Sequence, residues 1–520
     1  MTNRKDIERA LFAGANSLRD TIDAANYKDY VLPIMFLKYL SDTYLENVEE
    51  LSKHYEGERL ERQKSYLPFV IADEYLFDSL YQIRNDIRIG EKLNQAMRGI
   101  ENDNSDQLSG VLNTVDYNSE MALGTKDHKN AILRNLLEDF KNLDLRPSHI
   151  EVTKGEVPAD VIGDAYEYMI GQFASMAGKK AGSFYTPAAV SQLMANIVNV
   201  QGGERVYDPT CGSGSLLIKA AKKQDLKNVS IYGQEVNGSS VSMAKMNMFI
   251  HGISDAHIGW GDTLANPLFK DGDGNLMLFN KIVANMPFSK DKWAEGFNPG
   301  GEVTENNDKK FKMEAKFDPY KRFAWGVPPA GKGDWAFLLH MIYSLANKGV
   351  IAAVAPHGVL FRGNAEGKIR QKVVEENLLD AVIGLPENLF YGTSIPACIL
   401  VFKRGKTDND ILFIDASKKD EKGNLRYEKG TNQNQLNSKH IEDIINAYNE
   451  RRDIDKFAHV ASLEEIQSND FNLNIPRYVD TFEEEKLIDF DEVQRNISKL
   501  KVEIEKSEAQ MEKYLKELGL

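Results

Sequence analysis

Two cysteines in 520 residues, Cys211 and Cys398, are too few for a disulfide framework, and no Cys/His spacing matches a zinc site. No apolar run is long enough to span a bilayer, and the opening MTNRKDIERA lacks a signal-peptide core, so the cytoplasm is the expected compartment. Positive charge is scarce as well: 64 Lys+Arg stand against 78 Asp+Glu, a net −14. Such a chain does not grip a polyanion over a broad basic face by itself, so a nucleic-acid substrate requires a second subunit for much of the phosphate contact. Neither G-x-G-x-x-G nor a complete G-x-x-x-x-G-K-[ST] occurs, which argues against a dinucleotide fold or a P-loop. What is present is a soluble globular composition, 42% hydrophobic and 27% charged with mean hydropathy −0.43, over a length that implies two or three domains.

Residues 1–155 show helical periodicity and no strand alternation. Leu32, Phe36, Leu37 and Leu40 fall on one helical stripe, and Pro33 places the start of that helix near Tyr30, where a first-turn proline is tolerated. NLLEDFKNL (135–143) is a second amphipathic piece, whereas IENDNSDQLSG (100–110) reads as a polar loop. The expectation is an all-helical packing and partner domain.

From about residue 156 the texture changes to alternating strands and helices, which means an α/β domain with a mostly parallel sheet and helices on both faces. In AGSFYTPAAV, Thr186 is placed to cap a helix with Pro187 at its first position; the aromatics before it are a hydrophobic staple or a cover over a ligand. In RVYDPTCGSGSLLIKAAKK, Asp208 ends a strand, and Gly212 and Gly214 let the backbone approach a ligand closely. The D-P-x-x-G-x-G turn suits a cofactor with an amino-acid or sulfonium moiety better than a phosphate. The next strand, NVSIYGQE, ends in Glu235, placed to read two ribose hydroxyls, and AHIGWGDTL ends in Asp262, placed to accept from an adenine amine. Three successive strands ending in acids are not easily a coincidence.

The fourth strand, KIVAN, ends in Asn285, followed by Met286, Pro287 and Phe288. The Asn285 side-chain carbonyl and the Met286 main-chain carbonyl are two neighbouring acceptors that take both hydrogens of one exocyclic amine. They draw its lone pair out of conjugation and stabilise the positive charge that develops on nitrogen. Phe288 offers a flat face to the ring. Alone, N-x-P-F is also an ordinary strand exit. Methionines 243, 246 and 248 read as core filler, and His357 as a structural histidine. The aperiodic run from Ser289 to Gly333 is a wall over a cleft; its lysines and Arg322 either meet phosphates or belong to a solvated flap.

These strings, together with LRDTIDAANYKDYVLPIMFLKYLSD, GLPENLFYGTSIPACILVF and NLNIPRYVD, resemble the modification (M, HsdM) subunit of Type I restriction–modification systems over nearly the whole chain, closest to the IC branch. The resemblance implies a Rossmann-like S-adenosylmethionine-dependent domain that methylates N6 of adenine in DNA. It implies that Ser183, Phe184, Tyr185, Thr186, Pro187 and Ala188 cover the methionine end of S-adenosylmethionine. Asp208 with Gly212, Ser213, Gly214 and Ser215 would take the amino-acid moiety, Glu235 the ribose, and Asp262 with Thr263 the adenine. Asn285 and Met286 would hold the target amine, and Phe288 and Phe390 would sandwich the flipped base. The implied partners are double-stranded DNA, a specificity (S) subunit, a second M subunit and a restriction (R) subunit.

One departure stands out: the family has N-P-P-F or N-P-P-Y, and here the second position is Met286. A position that acts through its carbonyl tolerates methionine at the expense of backbone rigidity. The domain boundaries expected are 1–155 helical, 156–415 methyltransferase, 416–480 connecting, and 481–520 a C-terminal helix. In that helix Val493, Ile497, Leu500, Ile504, Met511, Tyr514 and Leu518 follow a heptad stripe that folds back on its own chain or packs on the S subunit. Rival readings are an enzyme for a protein glutamine or an RNA guanine, and a DNA clamp that no longer catalyses.

Overall fold

Helical periodicity in the first third of the chain builds a bundle, and its longest helix, Tyr27–Ser52, is buried on nearly every side as far as Tyr44. The computed structural model describes residues 1–177, 185–222, 228–297, 312–420, 423–431, 433–481 and 490–518. Leu32, Phe36, Leu37 and Leu40 all face the core, but the helix begins three residues earlier than the proline suggested, leaving Pro33 in its interior. An interior proline removes one helix hydrogen bond, at a typical cost of about 3 kcal/mol. The freed carbonyl of Asp29 accepts the Thr114 hydroxyl instead (3.4 Å), which limits that cost. Lys38 and Asp42, buried one turn apart, pair at 2.6 Å, and the second Asp42 oxygen accepts the Leu145 amide at 2.7 Å.

The expected loop at 100–110 is instead mostly helical, Ile89–Asp103 followed by Ser105–Leu108. Its polar Asn104 works as a staple, with Nδ2 donating to the carbonyls of Val70 and Ile100. Helix Pro158–Ala177 packs into this same helical core, as do Met243, Met246 and Ile250 of helix Gly238–Ile250. The bundle therefore reaches past residue 155 and is continuous with the sheet domain through these two helices.

Among the described residues nine strands form one sheet: β1 (Arg205–Asp208), β2 (Ser230–Glu235), β3 (His257–Trp260), β4 (Phe279–Asn285), β5 (Leu345–Pro356), β6 (Leu379–Gly384), β7 (Ala397–Lys403), β8 (Ile411–Asp415) and β9 (Ala458–Ala461). Their order is β3-β2-β1-β4-β5-β7-β6-β8-β9, parallel from β3 to β5, with β7 and β9 antiparallel to their neighbours. Alternate residues feed opposite apolar layers: Val206 and Val283 one side, Tyr207 and Ile282 the other. Helices Ala188–Val198, Ser215–Ala221 and Ser438–Glu450 cover the first face, and Asp334–Tyr343 and Asn364–Glu375 the second.

Residues 416–480 are thus more than a connection. β9 completes the sheet and helix Ser438–Glu450 packs against it, because Ile441, Ile444 and Ala447 carry an apolar stripe. Met1–Val479 is one compact unit, and Asp480–Leu520 is a second, containing the helix Phe490–Glu517. The heptad residues Val493, Ile497, Leu500, Ile504, Met511 and Tyr514 of that helix, and Leu518 just past its end, are all exposed.

Candidate active site

β1 and β4 lie side by side, and the chain order runs away from them in opposite directions, toward β3 on one side and β5 on the other. That reversal opens a crevice at the carboxyl ends of the strands, where ligands bind in open α/β sheets. Asp208, Glu235 and Asn285 end β1, β2 and β4, and Asp262 lies two residues beyond β3.

A cavity of about 390 Å³ in this crevice is lined by Glu235, Asp262, Thr263, Pro287, Trp293 and Phe337, among others. A narrower one beside it is lined by Tyr185, Thr186, Asp208, Gly212, Ser213 and Ser215. Thr210 and Asn285 line both, so Asn285 stands where the two meet. A larger groove, about 820 Å³, lies at the opposite, amino end of the strands around Lys281 and Lys403. It has none of the strand-end acids, so chemistry rather than volume picks the site.

Gly212 (φ +51°) and Gly214 (φ +75°) adopt the left-handed conformation that lets the turn close. The turn places the Gly212 amide 3.0 Å from Glu235 Oε2, while Oε1 accepts the Asn237 amide at 2.8 Å. Each carboxylate oxygen retains a second lone pair for a diol. Burial raises the Glu235 pKa, and these amide bonds offset part of the rise. Burial likewise pushes Asp208 up to about 8, with the Glu235 charge adding and the Thr210 amide (2.8 Å) opposing. No ion pair reaches Asp208 among the described residues, so it is a buried carboxyl without a cation, which fits an ammonium or sulfonium ligand. Asp262 Oδ1 caps the following turn through the amides of Leu264 and Ala265 (2.9 and 3.3 Å).

Asn285 is oriented by its neighbour. Its Nδ2 donates to Thr186 Oγ1 at 3.1 Å, and Oδ1 has no protein partner among the described residues. Thr186 therefore does not cap the helix Ala188–Val198, as its position suggested; the N-cap is Pro187, and the hydroxyl serves Asn285. The Met286 side chain is buried in the apolar layer beneath, which leaves only its main chain for chemistry. The turn out of the tetrapeptide is pinned by Ser289, whose φ is +50° and whose amide donates to Asp334 Oδ1 at 2.6 Å. Asp334 Oδ2 in turn pairs with Arg362 at 2.9 Å.

Phe288 and Phe390 do come together, but edge to face, with centroids 5.8 Å apart and planes at 71°. A base stacked between two rings needs them roughly parallel and about 7 Å apart, twice the van der Waals separation. The slot expected from the sequence is therefore collapsed onto its own aromatic edges. Pro187, Ala188, Gly214, Phe288 and Phe390 line neither cavity; Gly214 faces Met248. Ser183 and Phe184 lie outside the described residues.

Arg322 overturns one expectation. It is fully buried and cannot meet phosphate. Its Nη2 donates to Asp318 (2.8 Å) and to the Leu264 carbonyl (2.6 Å), and Nη1 to the Thr263 carbonyl (3.5 Å) and His340 Nδ1 (3.0 Å). Because Nη1 only donates, His340 is the Nε2–H tautomer and donates to the Tyr207 hydroxyl at 3.1 Å. Burial, then the Arg322 charge, hold the His340 pKa well below the usual range, in agreement with a neutral ring. This network fastens the residues after Asp262 from behind. Trp293 and Phe337 were also missed as cavity walls. Trp293 sits in a run without periodicity, and Phe337 is indistinguishable from core on an apolar helix. The His357 Nε2–H donates to the Ala397 carbonyl at 3.1 Å, a structural contact.

Comparison with known proteins matches this architecture. The family model described as N-6 DNA Methylase covers residues 157–487, and that described as HsdM N-terminal domain covers 7–140. The Type I restriction enzyme MjaVIII methylase subunit of Methanocaldococcus jannaschii is 33% identical over 97% of this chain and 83% of its own length. The MpnII methylase subunit of Mycoplasma pneumoniae is 30% identical over 96% of this chain and 93% of its own. A crystal structure of a type I restriction–modification methyltransferase subunit from Streptococcus thermophilus superposes with a TM-score of 0.78 at 39% identity, covering 92% of this chain and all of that one. With its helical bundle, its strand-end acids and these matches, the chain belongs to the N-6 DNA methylase family, as a methylase (HsdM) subunit of the type I restriction–modification kind.

Proposed function

We propose that this chain transfers a methyl group from S-adenosylmethionine to N6 of an adenine flipped out of duplex DNA, with Asn285 at the centre of the reaction. The observation that carries the reading is the Nδ2 bond from Asn285 to Thr186, which commits the amide nitrogen and leaves Oδ1 to accept from a target amine. Oδ1 and the Met286 carbonyl take both amine hydrogens, so the nitrogen lone pair is released from the ring for attack. Bound S-adenosylmethionine supplies an electrophilic methyl group on a sulfonium sulfur. Asp208 and the Gly212–Ser215 turn hold its amino-acid end, Glu235 its ribose, and Asp262 its adenine against Trp293 and Phe337. Tyr185 closes over the methionine end. Positioning and fixed dipoles do most of the work, because the transfer needs no strong base.

The target base leaves the helix at a cost of a few kcal/mol and is received between Phe288 and Phe390. The net charge of −14 supports a division of labour. A separate specificity subunit reads the sequence, a second M subunit completes the clamp on duplex DNA, and a restriction subunit joins the assembly. The exposed heptad seam of Phe490–Glu517 is the apolar face that packs on helices of the specificity subunit. The test is nucleoside mass spectrometry of duplex DNA methylated by the assembled subunits with deuteriomethyl-labelled cofactor. Label in N6-methyladenine alone is expected; label in cytosine, or in protein, would refute the reading.

A further inference from the structure

The segment Asn388–Gly392 touches two sites at once. Phe390 meets Phe288 edge to face at 5.8 Å, and the next residue, Tyr391, meets the Tyr185 ring at 5.7 Å with planes at 55°. Tyr185 lines the cavity at the Gly-rich turn. Its phenol end bears on Gly171 of helix Pro158–Ala177, where even a methyl group would sit 3.2 Å from the ring. Tyr185 is thus in contact with both a glycine of a buried helix and Tyr391. The segment is bounded by two left-handed residues, Asn388 (φ +55°) and Gly392 (φ +72°). The chain just before Phe390 is tethered: the Asn434 amide donates to the Asn388 carbonyl (2.9 Å) and Gln433 Nε2 to the Leu389 carbonyl (3.3 Å).

We propose that Tyr391 is a positioning residue that couples the target-base slot to the cofactor site. This rests on the reading of Phe288 and Phe390 as that slot. For a base to enter, the two rings must part. Phe288 is the fixed partner, because the residue after it is pinned by the buried Asp334. Phe390 therefore moves, and Tyr391, the adjacent residue, moves with it against Tyr185. A cofactor that orders Tyr185 orders Tyr391 and Phe390 in turn, so part of the ordering needed for the base is already done when the base arrives. The same coupling acts in reverse by equal amount, as linkage requires.

The experiment uses the full chain assembled with its specificity subunit and a site duplex carrying 2-aminopurine at the target adenine. The dissociation constant of sinefungin, an unreactive cofactor analogue, is measured by calorimetry with and without the duplex. In the wild type the duplex tightens sinefungin at least fivefold, the lower end of typical coupling. Tyr391→Leu keeps the apolar volume that Tyr391 packs against the helical core but loses the ring, and its ratio falls below twofold. Tyr391→Phe restores the wild-type ratio, which a loss of folding in the leucine variant would not explain. An unchanged ratio in Tyr391→Leu, or no tightening in the wild type, overturns the proposal. Phe390→Ala tests the underlying reading separately: if 2-aminopurine fluorescence still rises fully on binding, Phe390 is not part of the slot, whatever Tyr391 does.

Discussion

Replacing Glu235 with alanine removes a group with two jobs, and their sizes differ. In the protein alone, its two oxygens hold the amides of Gly212 and Asn237 at 3.0 and 2.8 Å. Losing them leaves two amides to find water in an open cleft, while the desolvation of a buried carboxylate disappears, so the melting temperature changes little. In the proposed cofactor complex, a charge-assisted bond to the ribose diol would be lost, typically about 1.5–3 kcal/mol. That converts to a dissociation constant for S-adenosylmethionine about 10- to 150-fold weaker. Isothermal titration calorimetry at pH 7.5 reads the effect directly. Glu235→Gln should fall between, since its amide oxygen accepts from only one of the two backbone donors. An unchanged affinity in Glu235→Ala would move the ribose elsewhere in the crevice and with it the orientation of the cofactor.

Three further outcomes follow from the same geometry. Burial pushes Asp208 up to about 8, and on the proposed reading a bound ammonium lowers that value, so binding releases a proton and affinity rises with pH from 6 toward 8. Calorimetry in buffers of differing ionisation enthalpy should show that release near pH 7, and Asp208→Asn should abolish it; an equal release in the variant would assign the proton to another group. Arg322→Met strands the buried Asp318 charge, a loss of about 3–5 kcal/mol seen as a lower melting temperature, and weakens cofactor binding through the loop after Asp262. Adding Asp318→Leu should recover much of the melting temperature, and no recovery would mean the pair matters for shape rather than charge. Ending the chain after Val479, where the first unit closes, should leave folding and cofactor binding intact but reduce recovery of the specificity subunit in pull-downs. Equal recovery would exclude the terminal helix as its docking element.

The parts of the site legible in the sequence were those that a strand end places by itself. Asp208, Glu235 and Asn285 end short strands and Asp262 lies two residues past another, and parallel order brings these ends together without further instruction. Residues that act through a distant partner were not legible. Thr186 has the position of an N-cap, and only the fold shows that Asn285, 99 residues on, takes its hydroxyl. Arg322 in a lysine-rich run reads as a surface cation, because nothing local reveals that Asp318 and two carbonyls wait for it in the core. Asn104 and Pro33 misled for a related reason: each reads locally as a helix break, and contacts from elsewhere hold Asn104 at the joint of two helices, through Val70, and Pro33 inside one, through Thr114.

The most direct measurement of the central claim is methyl transfer by Asn285→Ala, set beside its cofactor affinity. On the proposed reading Asn285 acts on the target amine, and among the described residues its side chain donates only to Thr186. With the specificity subunit and a site duplex, the variant should lose methyl transfer by at least 100-fold, in line with removal of one preorganised polar group at a reacting centre, about 10²–10³. Its dissociation constant for S-adenosylmethionine should stay within about threefold of wild type. Transfer at more than a tenth of the wild-type rate, with the cofactor bound normally, would contradict the account.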